Sequence, residues 1–300
     1  MTVKSLGYVI FDLQDPKAWV DYAVNVLGLE EGPRKGTTRF LRMDNAPFRF
    51  MLRKSKTDGM HASGFDVGNK TAFNRQIRIL EAEGVKVKMG TERQALRRAV
   101  KAFASFIDPS GNKIEIYYGR DKGPKCKPGH GIKKFITGKM GLGHVVLPAP
   151  AFDETSSFYQ TLLGFGLSDD LTLPPFMEGV PDQHLHFMHA SNPRHHTLAL
   201  YNFPNPAGLI HVMVEVGSVD EVGLALDRAK AAGIPIIASI GRHSYENDHM
   251  FSFYMMGPAG LAVEYGCDGK LVEDWSKYKP TVTTSGDLWG HEYNFPGAEA

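Results

Sequence analysis

The chain has 300 residues, with 34 basic and 33 acidic side chains, and so carries a formal charge of +1. That balance argues against a nucleic acid or an anionic membrane as partner. Two cysteines, Cys126 and Cys267, make neither a disulfide scaffold nor a zinc-finger array, and no run of about 18 apolar residues is long enough to span a bilayer. A cytoplasmic globular protein of two domains is the expectation.

The first element is a strand over Leu6 to Leu13, rich in β-branched and aromatic residues. Asp15 then caps a helix that opens on Pro16, buries Trp19, Ala23, Val26 and Leu27, and closes at Gly28. Ser63 to Val67 reads as a strand, Asn69 to Glu83 as a helix and Gly84 as its stop. Arg93, Arg97, Arg98 and Lys101 follow in a helix-like run that reads as a solvated face. Strands are expected over Ala102 to Ile107 and Lys113 to Tyr118. Gly119 to Lys134 is rich in Gly, Pro and Lys and reads as a linker.

The second half repeats this order. A strand over Leu142 to Leu147 precedes a helix over Phe152 to Leu163, and a strand over Ile210 to Val216 precedes a helix over Ser218 to Ala232. Four modules of strand, helix and about three strands result, in two similar halves. Gly7-Tyr8-Val9-Ile10 matches Gly143-His144-Val145-Val146. Asp108-Pro109-Ser110-Gly111 with Glu115 matches Gly257-Pro258-Ala259-Gly260 with Glu264.

The differences between the halves carry the chemistry. His144 stands where the first half has Tyr8, and His211 where it has Ala62, while Glu115 and Glu264 are shared. Two histidines and a carboxylate are the donor set of a facial metal triad. A lone histidine on an apolar strand is more often a hydrogen-bonded core residue, and the pattern alone leaves both readings open. Three ionisable groups in apolar strands are nevertheless costly to bury unless something pairs with all of them. The dense run His184, His186, His189, His195 and His196 is ambiguous. Alternation puts His195 and His196 on opposite faces, so only one can reach a given site.

Taken together, the motifs resemble those of the type I extradiol dioxygenases of the vicinal oxygen chelate superfamily, in particular the two-domain enzymes that cleave 2,3-dihydroxybiphenyl-like catechols. The resemblance rests on SLGY, FIDPSGNKIEIYYG, MGLGHVVL, LPPFM, NPRHHTLAL, GLIHVMVEV, GRH with NDHMFSFY, PAGLAVEYG and LWGHEY, which run through nearly the whole chain. It implies an α+β fold of four βαβββ modules in two tandem barrel domains. These are a metal-free domain over residues 1–120, a linker over 121–137 and a catalytic domain over 138–300. It implies a metal on His144, His211 and Glu264, expected to be Fe(II) and less often Mn(II), with O2 as co-substrate. His196 matches the acid–base histidine, and His243 and Tyr254 match residues that hydrogen-bond the catechol. Asp248 matches an acid behind that histidine.

Ser244 to Ser252 is longer than the family's usual segment, so His249 is a second candidate for the place of His243. Asn247 and Asp248 flank the same turn as candidate substrate contacts. Val146, Pro175 and Phe187, with Leu173, Pro174, Phe176 and Phe203, are candidates for an apolar lining that favours a bicyclic or aryl-substituted catechol. The implied reaction is meta cleavage of that catechol, and a homo-oligomer is expected. Two other classes stay in view. One is a glyoxalase-like isomerase, which needs no oxygen. The other is a small-molecule binding protein, which needs no metal triad.

Overall fold

The computed structural model describes residues 3–294. The expected termini of the two domains, residues 1–2 and 295–300, lie outside the described residues. The first half runs β1 (Ser5–Leu13), α1 (Pro16–Tyr22), β2 (Glu30–Glu31), β3 (Arg39–Arg42), β4 (Phe50–Lys54), β5 (Gly59–Asp66), α2 (Lys70–Ala82), β6 (Lys88–Met89), α3 (Glu92–Arg98), β7 (Val100–Ile107) and β8 (Lys113–Arg120). The second runs β9 (Val145–Pro148), α4 (Phe152–Thr161), β10 (Gly166–Leu173), β11 (Gln183–His189), β12 (Leu198–Tyr201), β13 (His211–Glu215), α5 (Val219–Ala231), β14 (Ile236–His243), β15 (Phe251–Met256) and β16 (Ala262–Cys267). A tail adds β17 (Thr281–Thr283) and β18 (Asp287–Gly290).

Local chemistry starts and stops the helices as the sequence suggests. Asp15 accepts from the Lys17 amide, Asn69 from Ala72 and Ser218 from Glu221. The first helix widens to π geometry over Ala23–Leu27 before Gly28 ends it at φ 76°, a left-handed turn that costs glycine least. No helix among the described residues is long and apolar enough to cross a membrane.

The two halves are one topology used twice. The first sheet is ordered β2-β3-β4-β1-β5-β8-β7-β6. The second, inside its tail strands, is ordered β10-β11-β12-β9-β13-β16-β15-β14, and both sheets curl. Register makes the match residue by residue. Ile10 pairs with Ala62 as Val146 pairs with His211, and Gly64 pairs with Glu115 as Met213 pairs with Glu264. His211 and Glu264 thus stand where Ala62 and Glu115 stand.

One apolar cluster joins the halves between the outer faces of the sheets and the helices, with Trp19, Phe50 and Phe65 from one side and Val145, Tyr159 and Tyr265 from the other. The Trp19 indole donates to the Pro258 carbonyl at 2.8 Å, and the Tyr159 hydroxyl donates to Asp108 at 2.9 Å. Segment 121–137 has no strand of its own, yet it is fastened at both ends. Ile132 and Phe135 are buried in the shared cluster, and the amides of Cys126 and Lys133 donate to Asn45 and Glu221.

The interiors of the two curled sheets differ. The first is filled by Tyr8, Ile10, Phe40, Phe48, Met51, Phe103 and Tyr117, among others. The second holds two smaller apolar groups, Val146, Leu171, Phe187 and Ala199, and Ile237, Ala238, Tyr254 and Ala262. The ionisable residues lie between these two groups.

Candidate metal centre

His144 immediately precedes β9, His211 opens β13 and Glu264 lies in β16. Because β13 is flanked by β9 and β16, the three side chains emerge side by side into the second interior. His144 Nε2 lies 3.2 Å from His211 Nε2 and 3.0 Å from Glu264 Oε2, and His211 Nε2 lies 3.3 Å from the same oxygen. Metal bonds of about 2.1 Å at right angles put neighbouring donors about 3 Å apart, so one divalent ion fits this triangle.

Two further observations fit an ion here. Glu264 is 1 % exposed, and among the described residues its Oε1 meets no donor closer than His243 Nε2 at 3.5 Å. Burial alone would raise the Glu264 carboxyl, but hydrogen bonds from His144, His211 and His243 hold it well below the usual range. Burial also pushes His144 down to about 4, against the pull of Glu264. A neutral imidazole and an ionised carboxylate are the forms that ligate metals.

Two other groups of three donors lie nearby, and in each the aspartate already accepts from another group of the protein. In His144, His196 and Asp248, Asp248 sits 3.9 Å from His196, and its Oδ1 accepts from the Met250 amide. In His243, Asp287 and His291, Asp287 accepts from His291 Nδ1 at 2.8 Å while His291 Nε2 meets the Ser252 carbonyl at 3.1 Å.

His196 borders the triangle, its ring centroid 4.0 Å from that of His144 and 4.8 Å from that of Phe187. Its Nδ1 lies 3.3 Å from His195 Nδ1, and its buried Nε2 has no partner. Burial, reinforced by His144 and His195, holds its pKa well below the ordinary histidine value. On the far side, the Tyr254 hydroxyl and His243 Nε2 are 2.9 Å apart, and His243 Nε2 is 3.5 Å from Glu264 Oε1. Burial would lower His243, but the Glu264 hydrogen bond and the charges of Asp248, Glu264 and Asp287 outweigh it and raise it to about 9. The longer turn after His243 therefore leaves that histidine at the site. His249 instead takes a left-handed backbone at φ 52° and stacks on Tyr245 at 4.2 Å.

Other expected residues fall differently. Asn247 is buried, but its Nδ2 donates to Asp169 at 2.8 Å and its Oδ1 accepts from the Asp248 amide at 2.7 Å. Its amide holds the turn, which leaves it little capacity for a substrate contact. Val146 and Phe187 share a buried cluster beside His196. Pro175 is exposed in the segment between β10 and β11, where Phe176 rests on Phe203 at 5.1 Å. The dense histidine run disperses: His186 pairs with Ser156, His189 stacks on Trp275 and His195 meets the Tyr278 hydroxyl.

Two residues behind the site escaped the sequence reading. Asp287 and His291 come from the tail, where β18 pairs with β14 and sets them beside His243. The LWGHEY motif was their only trace. In the first half, Arg98 departs from the expected solvated face. It is 7 % exposed and grips Glu115 with two nitrogens, at 2.6 and 2.5 Å, while the Tyr8 hydroxyl donates to the same carboxylate at 2.8 Å. The first interior therefore answers its buried glutamate with a guanidinium. Glu115→Ala strands that guanidinium and is expected to lower stability by about 3–5 kcal/mol. Urea unfolding measures this, and a loss below about 1 kcal/mol, the level of a surface pair, would refute it.

Comparison with known proteins agrees with this architecture. Residues 141–265 match the Glyoxalase/Bleomycin resistance protein/Dioxygenase superfamily, and residues 6–54 match the family Dihydroxybiphenyl dioxygenase BphC D1. The chain is 39 % identical to an iron-dependent extradiol dioxygenase of Rhodococcus jostii, across 98 % of both chains. It is 36 % identical to a biphenyl-2,3-diol 1,2-dioxygenase of Metapseudomonas furukawaii, across 97 % of this chain and 94 % of that one. The crystal structure of BphC, a halotolerant catechol dioxygenase, superposes with a TM-score of 0.89 at 30 % identity, covering 98 % of this chain and 96 % of that one. With the duplicated topology and the three converging donors, these relatives show that the chain belongs to the extradiol dioxygenases of the vicinal oxygen chelate superfamily.

Proposed function

We propose that this enzyme uses Fe(II) and O2 to cleave an aryl-substituted or bicyclic catechol, such as 2,3-dihydroxybiphenyl, at the bond beside its hydroxyls. The observation that carries the reading is the triangle of His144, His211 and Glu264, flanked by His196 on one side and the His243–Tyr254 pair on the other.

Those three residues would hold the ion, which would supply Lewis acidity toward the catechol oxygens and an electron path to O2. His243 and Tyr254 orient the catechol and stabilise its negative charge through hydrogen bonds. His196 holds a ring nitrogen free of protein partners in a buried setting and exchanges a proton with the reacting molecule there. Asp248 steadies the turn behind it. Val146 and Phe187 exclude water on the side where a ring substituent would lie, which supports a large apolar catechol over catechol itself. The relative named biphenyl-2,3-diol 1,2-dioxygenase supports the same choice. A homo-oligomer and a cytoplasmic setting belong to this reading. The exposed apolar side chains of Val282, Leu288 and Trp289 support the former, and light scattering tests it.

The reading is tested by anaerobic purification, loading with Fe(II), and oxygen uptake with 2,3-dihydroxybiphenyl and 3-methylcatechol. One O2 consumed per catechol, with a yellow ring-opened product and faster turnover of the biphenyl, is expected. Iron-loaded protein that consumes no O2 with either would sink it. The same measurement separates it from an isomerase, and metal analysis separates it from a binding protein.

A further inference from the structure

A second polar cluster sits in the first half, apart from the residues above. Asp12 of β1, Arg53 of β4, His61 of β5 and Lys113 of β8 meet at one end of the curled sheet. Asp12 lies 2.9 Å from His61 Nδ1 and 3.1 Å from Arg53 Nε. A carboxylate only accepts, so His61 Nδ1 carries a hydrogen and its Nε2 is the accepting end. Both cations turn to that one lone pair, Arg53 Nη1 at 2.5 Å and Lys113 Nζ at 3.3 Å.

The charges do not balance. Asp12 neutralises Arg53, and deeper in, Glu115 is already gripped by Arg98. Lys113 has no carboxylate within ion-pair distance among the described residues. Burial of Lys113, and the neighbouring Arg53, Arg98 and Lys88, pull its ammonium below the usual lysine value, against Glu115. One positive charge is left in a partly buried place, which is unfavourable unless an anion joins it.

Beside it is room for one. A cavity of about 120 Å³ is lined by His61, Ser63 and Lys113 and closed from the second half by Leu147 and Gly208. A water molecule's share of liquid volume is about 30 Å³, so an ion the size of phosphate fits. Ser63 is 1 % exposed, and its hydroxyl has no hydrogen-bond partner. That hydroxyl is sealed within the wall, so the ion would rest on the cationic side chains rather than on Ser63. Asn112, also on the wall, spends its amide on Asp108 and the Pro148 carbonyl, which fixes the wall in place.

We propose that this pocket between the two halves binds one small oxyanion, phosphate-like or a short carboxylate, held by Lys113 beside the Asp12–His61–Arg53 cluster. The site is independent of the iron and catechol reading.

Calorimetric titration of the iron-loaded full chain tests it, with inorganic phosphate in one arm and acetate in the other, each against chloride at equal ionic strength. Saturable binding of one ion per chain in at least one arm is expected. Lys113→Met should weaken it about tenfold or more, as loss of a charge-assisted hydrogen bond does. Lys113→Arg keeps the charge and should keep binding, which separates loss of the site from loss of the fold. His211→Ala should leave binding unchanged. No saturable binding in either arm overturns the proposal. So does binding that survives Lys113→Met but is lost in His211→Ala, which would put the anion at the metal centre.

Discussion

His144→Ala will lose its metal and, with it, ring cleavage. His144 is one of three donors held 3.0–3.3 Å apart by three neighbouring strands. Without it, two donors remain, and the Glu264 carboxylate stays buried with less to neutralise it. Partners that merely support a metal ligand are worth about 10- to 100-fold in affinity, so loss of a ligand itself should exceed about 100-fold. Metal analysis after dialysis is the readout. Because the side chain is 2 % exposed, alanine also leaves a hole, and circular dichroism must accompany the measurement. The interior of the first half, with its own Tyr8–Glu115–Arg98 cluster, is untouched and should keep the protein folded. A folded variant holding one ion per chain at wild-type affinity would remove His144 from the ligand set.

His196→Gln should instead keep the metal and slow the turnover. The ring stacks beside His144 and meets the edge of Phe187, and its Nε2 is the buried nitrogen that no protein group satisfies. Glutamine approximates the shape and can hydrogen-bond, but it cannot take up and return a proton. General acid–base groups contribute about 10²–10⁴-fold, so kcat should fall within that range while KM and iron content change little. Near-normal kcat with full iron would end the proton-transfer role. A parallel loss of iron would mean that His196 supports the metal rather than the reaction.

Much of the fold was legible because duplication leaves local marks. Caps at Asp15, Asn69 and Ser218 and stops at Gly28, Gly84 and Gly233 are short-range signals, written in the residues that make them. The contrast of His144 and His211 with Tyr8 and Ala62 also stands out once the halves are aligned, since equivalent positions differ in the one property that matters for a metal. The pairing registers then make that alignment physical. Arg98 was misread for the opposite reason. Its neighbours Arg93 and Arg97 are exposed, and nothing within its own helix says that it alone turns inward to a glutamate 17 residues away.

The rest depended on distant chain segments. Sequence allowed only one of His195 and His196 to face inward and left the rest of the dense run open, and tertiary packing set His184, His186, His189 and His195 against Thr172, Ser156, Trp275 and Tyr278. The turn after His243 offered two histidines, and only the backbone path, pinned by Asn247 on Asp169, turns His249 onto Tyr245. Asp287 and His291 reach His243 because a tail strand docks on β14. By itself, then, the sequence determined the modules and their duplication and marked His144, His211 and Glu264 as candidate donors, since these follow from local propensity and from comparison of equivalent positions. The tertiary structure alone decided which polar groups face one another. That depends on strand order, register and the path of long turns, which bring together residues far apart in the chain and leave His196 Nε2 and the Ser63 hydroxyl without hydrogen-bond partners.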